Sequence, residues 1–490
     1  MRLLAVTPSL NHSEIVRELQ SRAPDDLCYV LTIGHRNCDY KASSLLRMTV
    51  SKGKRGHIMS SSLFTGSGKI LTSAQEFETI LQEAVDTLQR ASPGHHYRSH
   101  RLQHPDEYVH YVCIVADRLA DILKQENIDT ILFFDIPHLF YDSLLYRIAR
   151  LLNLRTLILR PSHFPGQFVS MGNISDYGHV TVNSSVQELK FKIEWDSPHD
   201  LNYMAGIQQG NQKDIRRGHL TLRAFFHLIA HAVTQDRGMF IRPHRFLYFL
   251  RAIHSIMREL PHWRDPFARF FHPDLVEYAK ALIRREFSYP VYERPYVYFA
   301  LHLQPEMTSG VLGERYRDQL LAVEHLSTIL PSDWIIYVKE NPKQTSQYRS
   351  SIFFHRLDRI RNARWVPAQT STYDLISNSR FVATISGTVA WEALTFRRRA
   401  LVFGDAWMQG LPGVTRYTPD LEIRQLIEPF PPDAELESAV ARLIGHSHCG
   451  SLQRQLERKM TTEEKRQNRL NIGDAILGLL RKEISPTFSR

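Results

Sequence analysis

Cysteine is scarce in this chain. Its 490 residues include four, Cys28, Cys38, Cys113 and Cys449, with no close pairing and no metal-binding spacing. That argues against a disulfide framework or a cysteine-held metal, and it suits a reduced, cytoplasmic compartment. Long apolar runs are missing too. Nothing approaches the stretch of about 18 uncharged apolar residues that a membrane-spanning helix needs. Met1 to Thr7 (MRLLAVT) reads as a strand and has neither the length nor the cleavage site of a signal peptide. No Asp-x-Asp triplet occurs, so the usual chelating signature for a metal-bound diphosphate is absent. Internal repeats and long low-complexity segments are absent as well. Acidic residues are the minority, 51 against 61 basic, for a net charge of +10. Such an excess attracts anionic partners. It is not gathered into the block that a nucleic-acid-binding tail would show, so no nucleic acid is expected as a partner.

What remains is the composition of an ordinary globular protein, 43% apolar and 23% charged, and long enough for two to three domains. The pattern alternates between strand and helix. Strands are expected at Leu3–Val6, Leu27–Ile33, Thr130–Phe134 and Thr156–Leu159, with helices at Ser13–Gln20, Ala74–Arg90, Tyr108–Glu126 and Asp142–Leu152. Residues Lys52 to Lys69 are rich in Gly, Ser and Lys and read as a loop near the cleft. From about Asn173 to Arg294 the alternation breaks and the pattern turns mainly helical. Within it, Leu220 to Leu260 mixes aromatics, arginines and histidines at helical spacing, which suits either a core-facing helix pair or an anionic membrane surface. Alternation resumes at Tyr296 and runs to about Gly413, and helices are expected over Asp433–Ile444 and Leu452–Leu480. The expected division is 1–172, a helical insertion at 173–294, 295–430, and C-terminal helices at 431–490 that pack back on the first domain.

The richest stretch is Ala383 to Gly404, ATISGTVAWEALTFRRRALVFG. The apolar run ends in Ser386-Gly387-Thr388, a helical segment carries Glu392 in its second turn, and a second strand closes on Gly404. Such a unit presents backbone N–H groups and hydroxyls to an anion, with Glu392 placed for a ribose hydroxyl. Two further strands end in polar clusters. Tyr296–His302 leads into Leu303-Gln304-Pro305-Glu306, and Asp333–Val338 leads into Lys339-Glu340-Asn341-Pro342. In an open parallel sheet, ligands sit beyond the carboxyl ends of the strands. Proline and asparagine are ordinary turn formers there. A lysine directly after a buried strand is not explained that way.

These segments, HLQPE, then YVKENP, then SGTVAWEAL, resemble the capsule polysaccharide biosynthesis family of bacterial glycosyltransferases, which includes Kdo-transferase-like capsule proteins. The likeness covers about Tyr296 to Gly413, with a weaker echo at Ile131 to Leu159. It implies an α/β fold of the GT-B type, two Rossmann-like domains facing across a cleft. It also implies a CMP- or UDP-linked sugar donor, held by Gln304, Lys339, Asn341, Ser386, Gly387, Thr388 and Glu392. Three departures stand out. Asn341 occupies the place of the family's histidine in Lys-x-His-Pro, Arg397-Arg398-Arg399 replaces Gly-x-Pro, and Met307, Thr308 and Ser309 stand where Kdo-transferring members carry an aspartate.

Sugar transfer needs a stabilised leaving phosphate, a placed acceptor and a base for its hydroxyl. Asp135 and His138 in the N-terminal half, and His302 and Glu306 in the other, are the catalytic candidates; each also has a plain structural explanation. No cofactor and no metal are expected, with Lys339 and the Ser386–Thr388 turn serving in the metal's place. The expected acceptor is a lipid-linked capsular or other surface glycan, met in the cytoplasm or on the inner face of the membrane. A nucleotide-sugar epimerase of the same fold and a non-catalytic subunit of polysaccharide export are the alternatives.

Overall fold

Strands buried on both faces read as continuous apolar runs, and strand segments of this kind build two sheets in the computed structural model. The structure describes residues 1–7, 9–34, 38–41, 77–91, 105–181, 191–196, 243–244, 246–247, 250, 289–304, 306–341, 344, 349, 351–367, 370–457 and 459–490. The loop expected at 52–69 and nearly all of the basic stripe at 220–260 lie outside them. Among the described residues, no helix is long and apolar enough to cross a membrane.

The first sheet is built from β1 (Arg2–Thr7), β2 (Tyr29–Gly34), β3 (Tyr40–Lys41), β4 (Thr130–Phe133), β5 (Arg155–Pro161) and β6 (Gln167–Met171). The second contains β7 (Tyr296–Ala300), β8 (Ile335–Lys339), β9 (Ala363–Val366), β10 (Phe381–Thr384), β11 (Ala400–Val402) and β12 (Val414–Arg416). A last strand, β13 (His448–Cys449), returns to the first sheet. The orders are β13-β6-β5-β4-β1-β2-β3 and β12-β11-β10-β7-β8-β9. In the first sheet β3, β2, β1, β4 and β5 are parallel, while β6 and β13 add antiparallel pairs at one edge. The second sheet is parallel throughout. Counted within each sheet, both follow the 3-2-1-4-5 order of a doubly wound nucleotide-binding fold, and the second extends it to six strands.

The chain's end belongs to its beginning. Helix Thr462–Arg481 lies on helix Leu10–Arg22 and buries Ile472, Ile476, Leu477 and Leu480 with Leu3, Ala5, Leu132 and Leu159 of the first sheet. Arg155 of β5 donates to the terminal carbonyls of that helix, Leu479 O at 2.8 Å and Leu480 O at 2.6 Å. Phe488 is fully buried and bridges Met171 and Val180. The single helix expected over Leu452–Leu480 is broken. A short turn at Arg454–Glu457 is followed by a new start, where Thr461 and Glu464 form a reciprocal capping box.

The two sheets are joined by aromatic packing. Phe164, in the β5–β6 turn, sits edge-on to Trp391 and Trp407 of the second unit, with ring centroids 6.3 and 5.7 Å away. Gly178 lets the backbones meet here. A Cβ at this position would lie 2.1 Å from Ala406 O, and its φ of +89° is one that side-chain-bearing residues rarely adopt.

Candidate active site between the two sheets

In a doubly wound sheet the binding crevice opens where the strand order reverses, between the first and the fourth strands. In the second sheet that point lies between β7 and β10, with β8 on the other side of β7. The three polar strand ends recognised in the sequence are therefore adjacent in space.

His302 lies under the turn that follows β10. Its Nε2 is 2.9 Å from Thr384 Oγ1 and accepts from Ser386 N at 3.3 Å, and its Nδ1 is 3.4 Å from Thr308 Oγ1. Burial, reinforced by Arg349, lowers its pKa to about 4, so the ring is neutral. Gly387 is required above it, because a Cβ there would lie 2.8 Å from Thr384 Oγ1 and 3.0 Å from His302 Nε2. Ser386 donates its hydroxyl to Thr308 O at 2.7 Å, which ties the β10 turn to the segment after β7. Gln304 is equally engaged. Its amide donates to Arg317 O at 2.8 Å and its carbonyl accepts from Arg349 Nη1 at 2.7 Å. Arg349 is fully buried and paired to Glu340 through Nε–Oε2 at 2.6 Å, clamping the ends of β7 and β8 together.

Lys339 and Glu392 share the opposite environment, a cation and a carboxylate drawn out of water. Lys339 is 7% exposed and donates to Thr370 O at 2.6 Å and Thr372 Oγ1 at 2.7 Å. Burial depresses its pKa to about 8 against the pull of Glu392. Burial raises Glu392 to about 7 against the pull of Lys339. Thr388 and Gly387 are partly buried, and Thr388 stands at the N-cap of the helix Val389–Thr395 that carries Glu392. Asn341 follows on the same loop, its N–H donating to Glu340 Oε1 at 2.9 Å.

The first sheet presents its own strand ends to the other wall. A cleft of about 530 Å³ is lined by Asp135, His138 and Arg160 on one side and by Glu306, Met307 and Thr308 on the other. His138 donates from Nδ1 to Ile136 O at 2.7 Å, taking the carbonyl as acceptor, which leaves Nε2 as the basic nitrogen. Asp135 accepts from Arg160 Nη1 at 2.7 Å and from Ile136 N at 2.8 Å. Arg160 also donates to Tyr177 OH at 2.9 Å and reaches Met307 Sδ at 3.1 Å, bridging the two units. Burial works against its charge, but Tyr177 and Asp135 outweigh burial and raise its pKa above the ordinary range. Among the described residues, no group of three or more His, Cys, Asp or Glu side chains could hold a metal ion.

Asp135, His138, Glu306 and Gln304 thus meet at one cleft. Lys339, Glu392, Asn341, Ser386, Gly387 and Thr388 gather around the ends of β8 and β10, beside that cleft and not among its lining residues. His302 lies buried between the two groups. Arg160, Arg317 and Arg349 were not among the sequence candidates. Arg160 stood at a recognisable strand end, whereas Arg349 comes from a segment with no strand pattern. The departure at Arg397–Arg399 is built as a set of ties. Arg397 holds a left-handed φ of 52° and pairs with Asp433 at 2.9 Å, Arg398 donates to Ser377 O, and Arg399 donates to Glu428 O at 3.0 Å and Pro429 O at 2.8 Å.

The fold is α/β of the GT-B arrangement, two Rossmann-ordered sheets facing across a cleft. No protein-family model matches the chain, and no curated protein does. Among solved structures, the beta Kdo 2,4 transferase KpsC of Thermosulfurimonas dismutans is 13% identical, covering 64% of this chain and 78% of its own, with a TM-score of 0.26. A UDP-GlcNAc 2-epimerase from Methanocaldococcus jannaschii is 10% identical, with coverages of 91% and 99% and a TM-score of 0.24. A UDP-N-acetylglucosamine 2-epimerase from Rickettsia bellii is 11% identical, with coverages of 98% and 99% and a TM-score of 0.23. At these values the likenesses carry no argument about activity, and the architecture rests on the strand order.

Proposed function

We propose that the protein is a glycosyltransferase that moves a sugar from a nucleotide-sugar donor onto a growing surface glycan. The observation that carries this reading is the adjacency of the β10, β7 and β8 ends, with a buried Lys339 and a partly buried Glu392 beside a cleft that holds His138 and Asp135 from the facing sheet. In this reading Glu392 accepts from the ribose, and Lys339, Thr388 and Asn341 meet the phosphate. His302 positions the β10 turn. Across the cleft, His138 Nε2 takes the proton from the acceptor hydroxyl as its oxygen bonds to the sugar's anomeric carbon. The bond from that carbon to the phosphate oxygen breaks, and the electron pair leaves with the nucleotide. Asp135 and Glu306 face the sugar. The leaving group is steadied by Lys339 and the turn, so no divalent metal is needed.

A thermal-shift screen against CMP, UDP, GDP and their sugar conjugates tests the donor half, because a ligand of the folded state raises apparent stability by mass action. A shift with one nucleotide family, lost in Lys339→Ala, supports the assignment. Transfer then predicts a product mass increased by one sugar, abolished in His138→Gln and unchanged by a chelator. A donor converted to another sugar nucleotide with no acceptor present indicates an epimerase. Absence of any nucleotide response indicates a non-catalytic role.

A further inference from the structure

Two arginines line the cleft, and they are held very differently. Arg160 has Asp135, Tyr177 and the Met307 sulfur as partners, and its side chain is 13% exposed. Arg317 instead reaches Asp86 at 3.2 Å, in a pair whose side chains are 33% and 28% exposed. Asp86 comes from helix Phe77–Ala91 beside the first sheet, and Arg317 from the turn Glu314–Arg317 beside the second. Both line the cleft, so the pair ties one wall to the other. The root of Arg317 is fixed, since Gln304 Nε2 donates to its carbonyl oxygen at 2.8 Å. Its side chain, a third exposed, lines the cleft.

We infer that Arg317 is the anion receptor of this cleft, and that an oxyanion of the substrate, phosphate or sugar carboxylate, takes it over from Asp86. A partly exposed ion pair adds little to stability, so exchanging one oxyanion for another costs little. The planar guanidinium fork accepts either geometry in a paired fashion. Arg160 is unsuited to that exchange, because its own side chain is only 13% exposed and giving up Asp135 would leave a buried guanidinium without its counter-charge. Since Asp86 and Arg317 stand on opposite walls, the exchange also releases one tie between the walls as the ligand enters, while the Arg160–Met307 bridge and the Phe164 packing remain. The inference rests on the glycosyl-transfer reading for its choice of probes, and it adds that the ligand carries negative charge close to the reacting centre.

The full chain is titrated with inorganic phosphate, glucuronate and glucose by calorimetry, with circular dichroism confirming that each variant folds. Asp86→Asn removes the internal competitor and tightens the responding anion about two- to fivefold, the equivalent of a partly exposed pair. Arg317→Gln loses that binding, and the double variant behaves like Arg317→Gln. Arg317→Lys, which keeps the charge and loses the fork, gives an intermediate affinity and serves if the glutamine variant does not fold. A response to phosphate alone identifies a phosphate group as the natural occupant, and one to glucuronate alone identifies an acidic sugar. Asp86→Asn that leaves both anions unchanged or weaker overturns the inference, as does undiminished anion binding in both Arg317 variants. Glucose tracking the anions through the series overturns it too. Failure of the glycosyl-transfer reading is seen separately, in the nucleotide response to Lys339→Ala, because Lys339 does not line this cleft.

Discussion

At the scale of the residue, Lys339 and Glu392 each pay for burial in a shifted pKa, and the two shifts have opposite consequences for stability. Glu392 is raised to about 7, so its contribution is complete below the unfolded carboxylate value and is lost as pH rises through 7. Lys339 is lowered to about 8, so its contribution is complete above the unfolded lysine value and is lost as pH falls through 8. Between 7 and 8 the charged forms of both side chains are disfavoured by the fold. Glu392→Gln should therefore gain stability relative to the parent as pH rises from 5 to 8, by about 2 kcal/mol. Urea midpoints at the two pH values measure this, and parallel curves would remove the assigned coupling. Gly387→Ala belongs to the same scale. Its new methyl must displace Thr384 or His302, and a loss of about 1–3 kcal/mol is expected, with weaker nucleotide affinity, in thermal melts with and without ligand.

At the scale of the element, the strand ends are held by a buried ion pair that neither strand contains in full. Glu340 follows β8, and Arg349 lies nine residues on, from where it also reaches Gln304 and the carbonyl of His302. Arg349→Met leaves a buried carboxylate without its cation and should cost about 3–5 kcal/mol. Adding Glu340→Gln should recover much of that loss, because the isolated charge is gone. Denaturant midpoints of the two single variants and the double variant close the cycle, and additive losses would show that the clamp acts otherwise. The apolar strands β1, β4, β7, β8, β10 and β11 were legible as runs of Val, Ile, Leu and Phe. The strand Ala363–Val366 and the break before Thr461 were not. The first is four residues containing an exposed Arg364, and the second depends on a capping bond that competes with an otherwise continuous helical pattern.

At the scale of the whole molecule, the first sheet is incomplete without residues 446–490, which supply β13 and the last helix. One face of it is covered by helix Leu10–Arg22 and helix Thr462–Arg481 together, and Phe488 fills its edge. Residues 1–181 expressed alone should thus show no cooperative unfolding transition, whereas the full chain does. A sharp calorimetric peak from the fragment would refute the dependence. Adding a peptide spanning 446–490 should restore cooperativity, since it supplies Ile472, Ile476, Leu480 and Phe488 to the exposed face.

The sequence by itself determined the α/β alternation and the polar strand ends, because buried parallel strands require apolar runs and those runs stop where turns begin. His302, Lys339, Ser386 and Glu392 were visible on that basis. Their grouping was decided by tertiary structure, because β7 pairs with both β8 and β10 across long separations that no local pattern specifies. The same holds for Arg160 meeting Met307 and for Asp86 meeting Arg317, contacts 147 and 231 positions apart along the chain. Local sequence determines which backbone conformation a segment prefers. Which charged side chains share a cleft is set by the packing of two sheets, where burial changes the strength of every charge brought together.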